Sequence, residues 1–103
     1  MNRWHEFTLV TQLANAGSEV SRALNWRAKK DKEHQESCYR RAIELIELTI
    51  SDPKNRERLK EVLRIKEALN DFFCGQNEYN TSEEFWRKYF LQFGVLARRN
   101  KWT

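Results

Sequence analysis

Asp31, His34 and Cys38 fall three and four positions apart, and Arg27 precedes His34 by seven. His34 and Cys38 would share one face of a helix, a geometry that two metal ligands could use. No third or fourth ligand stands nearby at a recognisable spacing, so no metal site is expected. Asp31 and His34 echo the carboxylate-x-x-histidine element of di-iron bundles, but the second copy that such a site needs is missing. The chain also lacks a glycine-rich phosphate loop, a nucleophile elbow and a metalloprotease helix motif. No catalytic residue and no cofactor is expected.

Paired charges offer a second kind of chemistry. Glu19 and Arg22, Arg41 and Glu44, and Arg64 and Glu67 are each three apart, close enough to meet on one helix face beside the apolar stripes. Buried charges persist only when paired, so these groups suit a polar layer, a subunit contact or a solvated boundary.

The basic residues make the stronger case for a ligand. Lys54, Arg56, Arg58, Lys60, Arg64 and Lys66 crowd one segment, Arg40 and Arg41 lie earlier, and Arg98, Arg99 and Lys101 lie in the tail. Together they form a candidate nucleic-acid surface, because cations that follow phosphates supply most of the affinity for RNA or DNA. Glu57, Glu61 and Glu67 interleave with them and weaken the field. Trp4, Trp26, Trp86 and Trp102 add aromatic faces, and an exposed aromatic beside a cation can stack on an unpaired base. Trp86 is expected in the core; Trp26 and Trp102 are the better candidates for the surface.

These residues must be positioned by helices. One proline and three glycines punctuate the 103 residues, and the long stretches between them repeat their apolar positions at steps of three and four. Helices are expected at about 4–28, 32–51, 53–74 and 82–99. The first carries Phe7, Val10, Leu13, Ala14, Gly17, Val20 and Leu24 on one face. Leu48 belongs to the broad apolar arc of the second. Ser51 or Asp52 caps the third, with Pro53 at its first position, where the missing N–H costs nothing. This helix is expected to bury Leu59, Val62, Leu63 and Leu69, and to stop at Gly75. Thr81 and Glu84 have capping-box spacing and begin the fourth, which carries Phe85, Trp86, Tyr89, Phe90, Phe93 and Leu96. Gly17 interrupts a helix at a cost of about 1 kcal/mol relative to alanine, so it marks a close approach of another helix. The expected fold is all-α, a single-domain, antiparallel, up-down-up-down four-helix bundle over 1–103.

Composition sets the outer bounds. Charged residues make up 33% and hydrophobic ones 40% of the chain, which suits solvated helix faces around a packed interior rather than disorder. The net charge of +4 permits nucleic-acid binding without demanding it. Cys38 and Cys74 show neither zinc nor redox spacing and are expected to be reduced thiols in a cytoplasmic protein. No apolar stretch approaches the roughly 20 residues that would span a bilayer, and 1–6 carries no signal-peptide apolar region.

The size, helix order, basic balance and small-residue break at Asn15-Ala16-Gly17-Ser18-Glu19 resemble the small bacterial four-helix proteins found as ribosomal-RNA intervening-sequence proteins and as accessory proteins of diversity-generating retroelements. That resemblance implies a ring-forming bundle and, for the retroelement members, binding to nucleic acid and a reverse transcriptase. No functional residue is carried over. The Arg27-to-His34 spacing is similar to the arginine-histidine mark of the HEPN class of helical RNases, which implies a small helical RNase as an alternative. The leading expectation is a non-enzymatic, homo-oligomeric adaptor that binds RNA or DNA, a protein partner, or both. A pure protein-interaction module of the antitoxin or phage-accessory type is the other alternative.

Overall fold

The computed structural model describes residues 3–100. Four α-helices follow a short 3-10 turn at Arg3–Glu6: α1 (Leu9–Ala28), α2 (Lys32–Ile50), α3 (Leu59–Phe73) and α4 (Glu83–Asn100). A second 3-10 turn, Pro53–Arg58, leads into α3. The fold is the all-helical four-helix bundle that the periodicity implies, and the described residues contain no strand.

The helix ends differ in detail from the sequence expectation, each for a local reason. The first helix begins at Leu9 rather than near residue 4, because the Thr8 hydroxyl accepts the Thr11 N–H and caps it. Asp52 accepts the Lys54 N–H, with Pro53 at the first position, but this cap opens the 3-10 turn and true α-helix starts only at Leu59. The fourth helix is capped by Ser82, whose Oγ accepts the Phe85 N–H at 3.0 Å. Thr81 instead receives the indole N–H of Trp86 at 2.9 Å. Between α1 and α2, Lys30 adopts a left-handed conformation (φ 60°), and Asp31 accepts the His34 N–H to cap α2. A three-residue turn therefore replaces the glycine that such a reversal usually uses.

Cross-helix contacts show antiparallel neighbours. Asn25 and Gly17 of α1 meet Arg87 and Phe90 of α4, and Glu47 and Tyr39 of α2 meet Lys66 and Asn70 of α3. Helix α1 packs tightly on α2 and α4, and α2 packs on α3. Helices α3 and α4 approach each other less closely than these pairs, though both contribute to the same core.

The core is built from Leu13, Ala16, Val20 and Leu24 of α1, Ala42 and Ile46 of α2, Val62, Ile65 and Leu69 of α3, and Trp86, Phe90 and Phe93 of α4. Gly17 sits where α1 and α4 come closest: a Cβ there would lie 2.6 Å from Phe90 Cβ. Several residues expected on the buried faces lie at the surface instead, namely Phe7, Leu48, Leu63, Phe85 and Leu96. These positions lie outside the single core to which all four helices contribute, so helical periodicity alone does not bury them.

A polar network replaces apolar packing at the pole where α1 begins and α2 ends. Gln12 is fully buried. Its Nε2 donates to the Trp4 carbonyl and to Asp52 Oδ2, both at 2.9 Å. Asn55 Nδ2 donates to Gln12 Oε1 at 2.8 Å and to the Thr49 carbonyl at 3.0 Å. Trp4 Nε1 donates to Thr49 Oγ1 at 3.0 Å, and Lys54 pairs with Asp52. Among the described residues every buried side-chain nitrogen and oxygen has a partner. The bonds from Gln12 to Asp52 and Asn55 join positions 40 and 43 apart in sequence, locking the 3-10 turn to α1.

Candidate nucleic-acid interface

The basic residues divide between one pole and the middle of the bundle. Lys54, Arg56, Arg58 and Lys60 lie on the second 3-10 turn and the first turn of α3. Contacts from Lys54 to the His5 carbonyl and from Asn55 to Gln12 place this segment beside the start of α1. Arg98 lines a hollow with Thr8 and Thr11, so the end of α4 reaches the same pole. Arg40 and Arg41 lie midway along α2, away from it. Lys101 and Trp102 lie outside the described residues.

Their availability differs as much as their position. Lys54 is committed to Asp52 and to the His5 carbonyl. Arg58 donates Nε and Nη2 to one Glu61 oxygen at 2.9 and 2.6 Å, and that carboxylate raises its pKa. Arg41 lies 3.7 Å from Glu19, a carboxylate that also receives Arg22 at 3.1 Å. The expected pairing of Arg41 with Glu44 thus gives way to a cross-helix contact, because α1 presents a nearly buried carboxylate. Arg56, Lys60, Arg98 and Arg99 are exposed and have no ion pair among the described residues.

Two further residues join this interface. Arg64 follows Lys60 by one turn on α3 and lines the gap between α3 and α4. Its spacing to Glu67 suggests a pair, yet it too has no ion pair among the described residues. Tyr79 lines the same gap. It was hidden in a polar loop whose only sequence signal is its density of asparagines, which tolerate left-handed backbone. Asn77 and Asn80 indeed take φ of 55° and 54°.

The Arg27 and His34 pair is spread over other contacts. The Arg27 guanidinium lies over the Phe72 ring, 4.6 Å from its centroid. His34 Nδ1 is 2.8 Å from Asp31 Oδ2, and its ring stacks on Trp26 at 4.4 Å. Asp31's carboxyl is held below its ordinary value mainly by the bond from the His34 backbone N–H. The Lys29 ammonium covers the Trp26 ring 5.0 Å from its centroid, so this half-buried tryptophan is already stacked and capped. Cys38 is half-buried, and burial pushes its thiol pKa up, so it gains none of the thiolate character of a reactive cysteine. Among the described residues no group of three or more His, Cys, Asp or Glu side chains could hold a metal ion. No helix of the described residues is long and apolar enough to cross a membrane.

The class of protein defined by these features is a small all-helical, four-helix bundle. No family model matches the chain, and no curated protein or solved structure matches it either.

Proposed function

We propose that this chain is a non-enzymatic, cytoplasmic four-helix adaptor that binds nucleic acid, RNA or DNA, through the pole carrying Arg56, Lys60, Arg98 and Arg99. The observation that carries this reading is that these four exposed cations have no acidic partner among the described residues, while Lys54, Arg58 and Arg41 beside them or along the bundle do. Unpaired cations gathered at one end are what a phosphate backbone neutralises, with release of its counterions. The engagement of His34 by Asp31 and Trp26, and of Arg27 by Phe72, supports a binding role over an RNase that would need both groups directed at a substrate.

Replacing Arg98 and Arg99 together by alanine is expected to weaken oligonucleotide binding equally across sequences. It should also flatten the slope of log affinity against log salt by about two. An unchanged slope in the double variant would remove the pole from the account.

The adaptor also forms a homo-oligomer in this reading, and α4 supports that part. Leu91 is 59% exposed and Val95, one turn on, is also open to solvent. Both occupy the outer face of a helix whose other side is already packed. Sedimentation at micromolar concentration is expected to give a mass above the monomer, shifted to the monomer by Leu91→Glu. A wild-type chain that sediments as a monomer contradicts this part.

A further inference from the structure

The gap between α3 and α4 opens an aromatic groove of about 990 Å³. Ile65, Ala68, Trp86 and Tyr89 form its floor. Two rings at its edge are open to solvent, Phe85 at 46% and Tyr79 at 54% exposure. Both are fixed in place. Phe85 stacks nearly parallel on Tyr89 (5.9 Å, 18°) and meets Trp86 edge-on at 5.0 Å. Tyr79 is held through its backbone, because Asp71 accepts the N–H groups of Glu78 and Tyr79 at 2.8 and 2.9 Å.

Charge decides which occupant suits this space. Two carboxylates line the groove with Arg64, and one of them is neutralised by an ion pair. Glu61 is held by Arg58. Glu67 keeps its charge, and its carboxylate beside the Tyr79 hydroxyl raises the phenol's pKa. Arg64 has no ion-pair partner among the described residues, and it extends the row that begins with Lys60 one turn earlier, about 6 Å along the helix axis. Lys60 and Arg64 place two cations between the basic pole and the edge of the aromatic groove.

We infer that this groove receives the unpaired bases of a single-stranded nucleic acid. Tyr79 and Phe85 are the stacking surfaces, and Arg64 and Lys60 hold the phosphates that lead to them. The inference rests on the basic-pole reading and makes it specific, since a duplex has no free base face to offer. Aromatic stacking tolerates any sequence because every base has a π-face, and rings locked by their neighbours lose little freedom on binding. An amphipathic helix from a protein would also find an apolar floor here. It would not need an unpaired guanidinium at the rim.

The test uses the whole chain, a fluorescein-labelled oligothymidine or oligouridine, and a duplex of the same length, titrated at low ionic strength. Phe85→Ala is expected to lower single-strand affinity roughly tenfold and leave duplex affinity unchanged, and Tyr79→Ala is expected to do the same. Both side chains are about half exposed, and unchanged circular dichroism and melting confirm that the variants fold. If the wild type binds single strand and duplex alike and Phe85→Ala alters neither, the groove plays no part while the basic pole stands. Loss of both affinities together in Phe85→Ala also overturns the groove assignment. If the wild type binds neither probe at low salt, the nucleic-acid reading fails, and the groove inference with it.

Discussion

Replacing Gln12 by leucine is expected to lower stability by about 3 kcal/mol, although the two side chains are similar in size. The loss comes from orphaned partners. In the folded chain Gln12 satisfies the Trp4 carbonyl, one oxygen of Asp52 and one N–H of Asn55, all at the buried pole. A buried polar group left without its partner costs about 1–3 kcal/mol, and the remaining bonds to Lys54 and to the Thr49 carbonyl limit the damage. Asn55→Leu is expected to destabilise as well. The double variant should lose less than the two singles combined, because removing both ends of a hydrogen bond leaves no orphan between them. Urea denaturation of the four chains checks this, and strictly additive losses would show that the network is not a coupled unit.

The same network has a pH signature. Burial works to raise the Asp52 pKa, but the hydrogen bonds from Lys54 and Gln12 outweigh it and hold the carboxyl at about 2, below its ordinary 3.8. A folded-state pKa below the unfolded one gives stability that is full above about pH 4 and is lost as the pH falls toward 2. Gln12→Leu removes one of those donors, so its stability should fall less steeply across that window than the wild type's. A parallel decline in both chains would contradict the role given to Gln12.

Gly17→Ala carries the second large effect. An alanine normally improves a helix interior by about 1 kcal/mol over glycine. Here its Cβ would stand 2.6 Å from Phe90 Cβ and 2.8 Å from two of its ring carbons. The obstacle is the root of a side chain on a packed helix, so α1 and α4 must separate. Overpacking of this kind costs about 1–3 kcal/mol, and a net loss of up to about 2 kcal/mol is expected. Gly94→Ala is the internal control, because a Cβ there meets only the tip of Arg98, at 3.8 Å. It is expected to stabilise by up to about 1 kcal/mol. Thermal melts that move both variants in the same direction would show that helix propensity, rather than the α1–α4 approach, governs Gly17.

How legible these features were depended on their range in sequence. Asp52-Pro53, Gly75 and the apolar steps of three and four act within a turn or two of themselves, and they marked out four helices in antiparallel order. Local competition between caps moved individual ends: Thr8 overrode a start near residue 4, and Ser82 took the role that its neighbour Thr81 suggested. Gln12 and Asn55 looked like ordinary polar residues, because their meaning lies in bonds that span 40 and 43 positions. The crowding of cations over 54–60 likewise hid its internal division, since only the fold shows that Asp52 and Glu61 have taken Lys54 and Arg58. The groove was illegible for a related reason. Phe85 and Leu96 carry helical periodicity whether or not a neighbouring helix covers them, and both are exposed.

The measurement that bears most directly on the account is the binding of the wild-type chain to a labelled oligonucleotide, followed by fluorescence anisotropy as salt is raised. The account predicts saturable binding at low ionic strength and a linear fall of log affinity with log salt, with the slope expected of several phosphate contacts. Absence of binding at low ionic strength, or an affinity indifferent to salt, would contradict it.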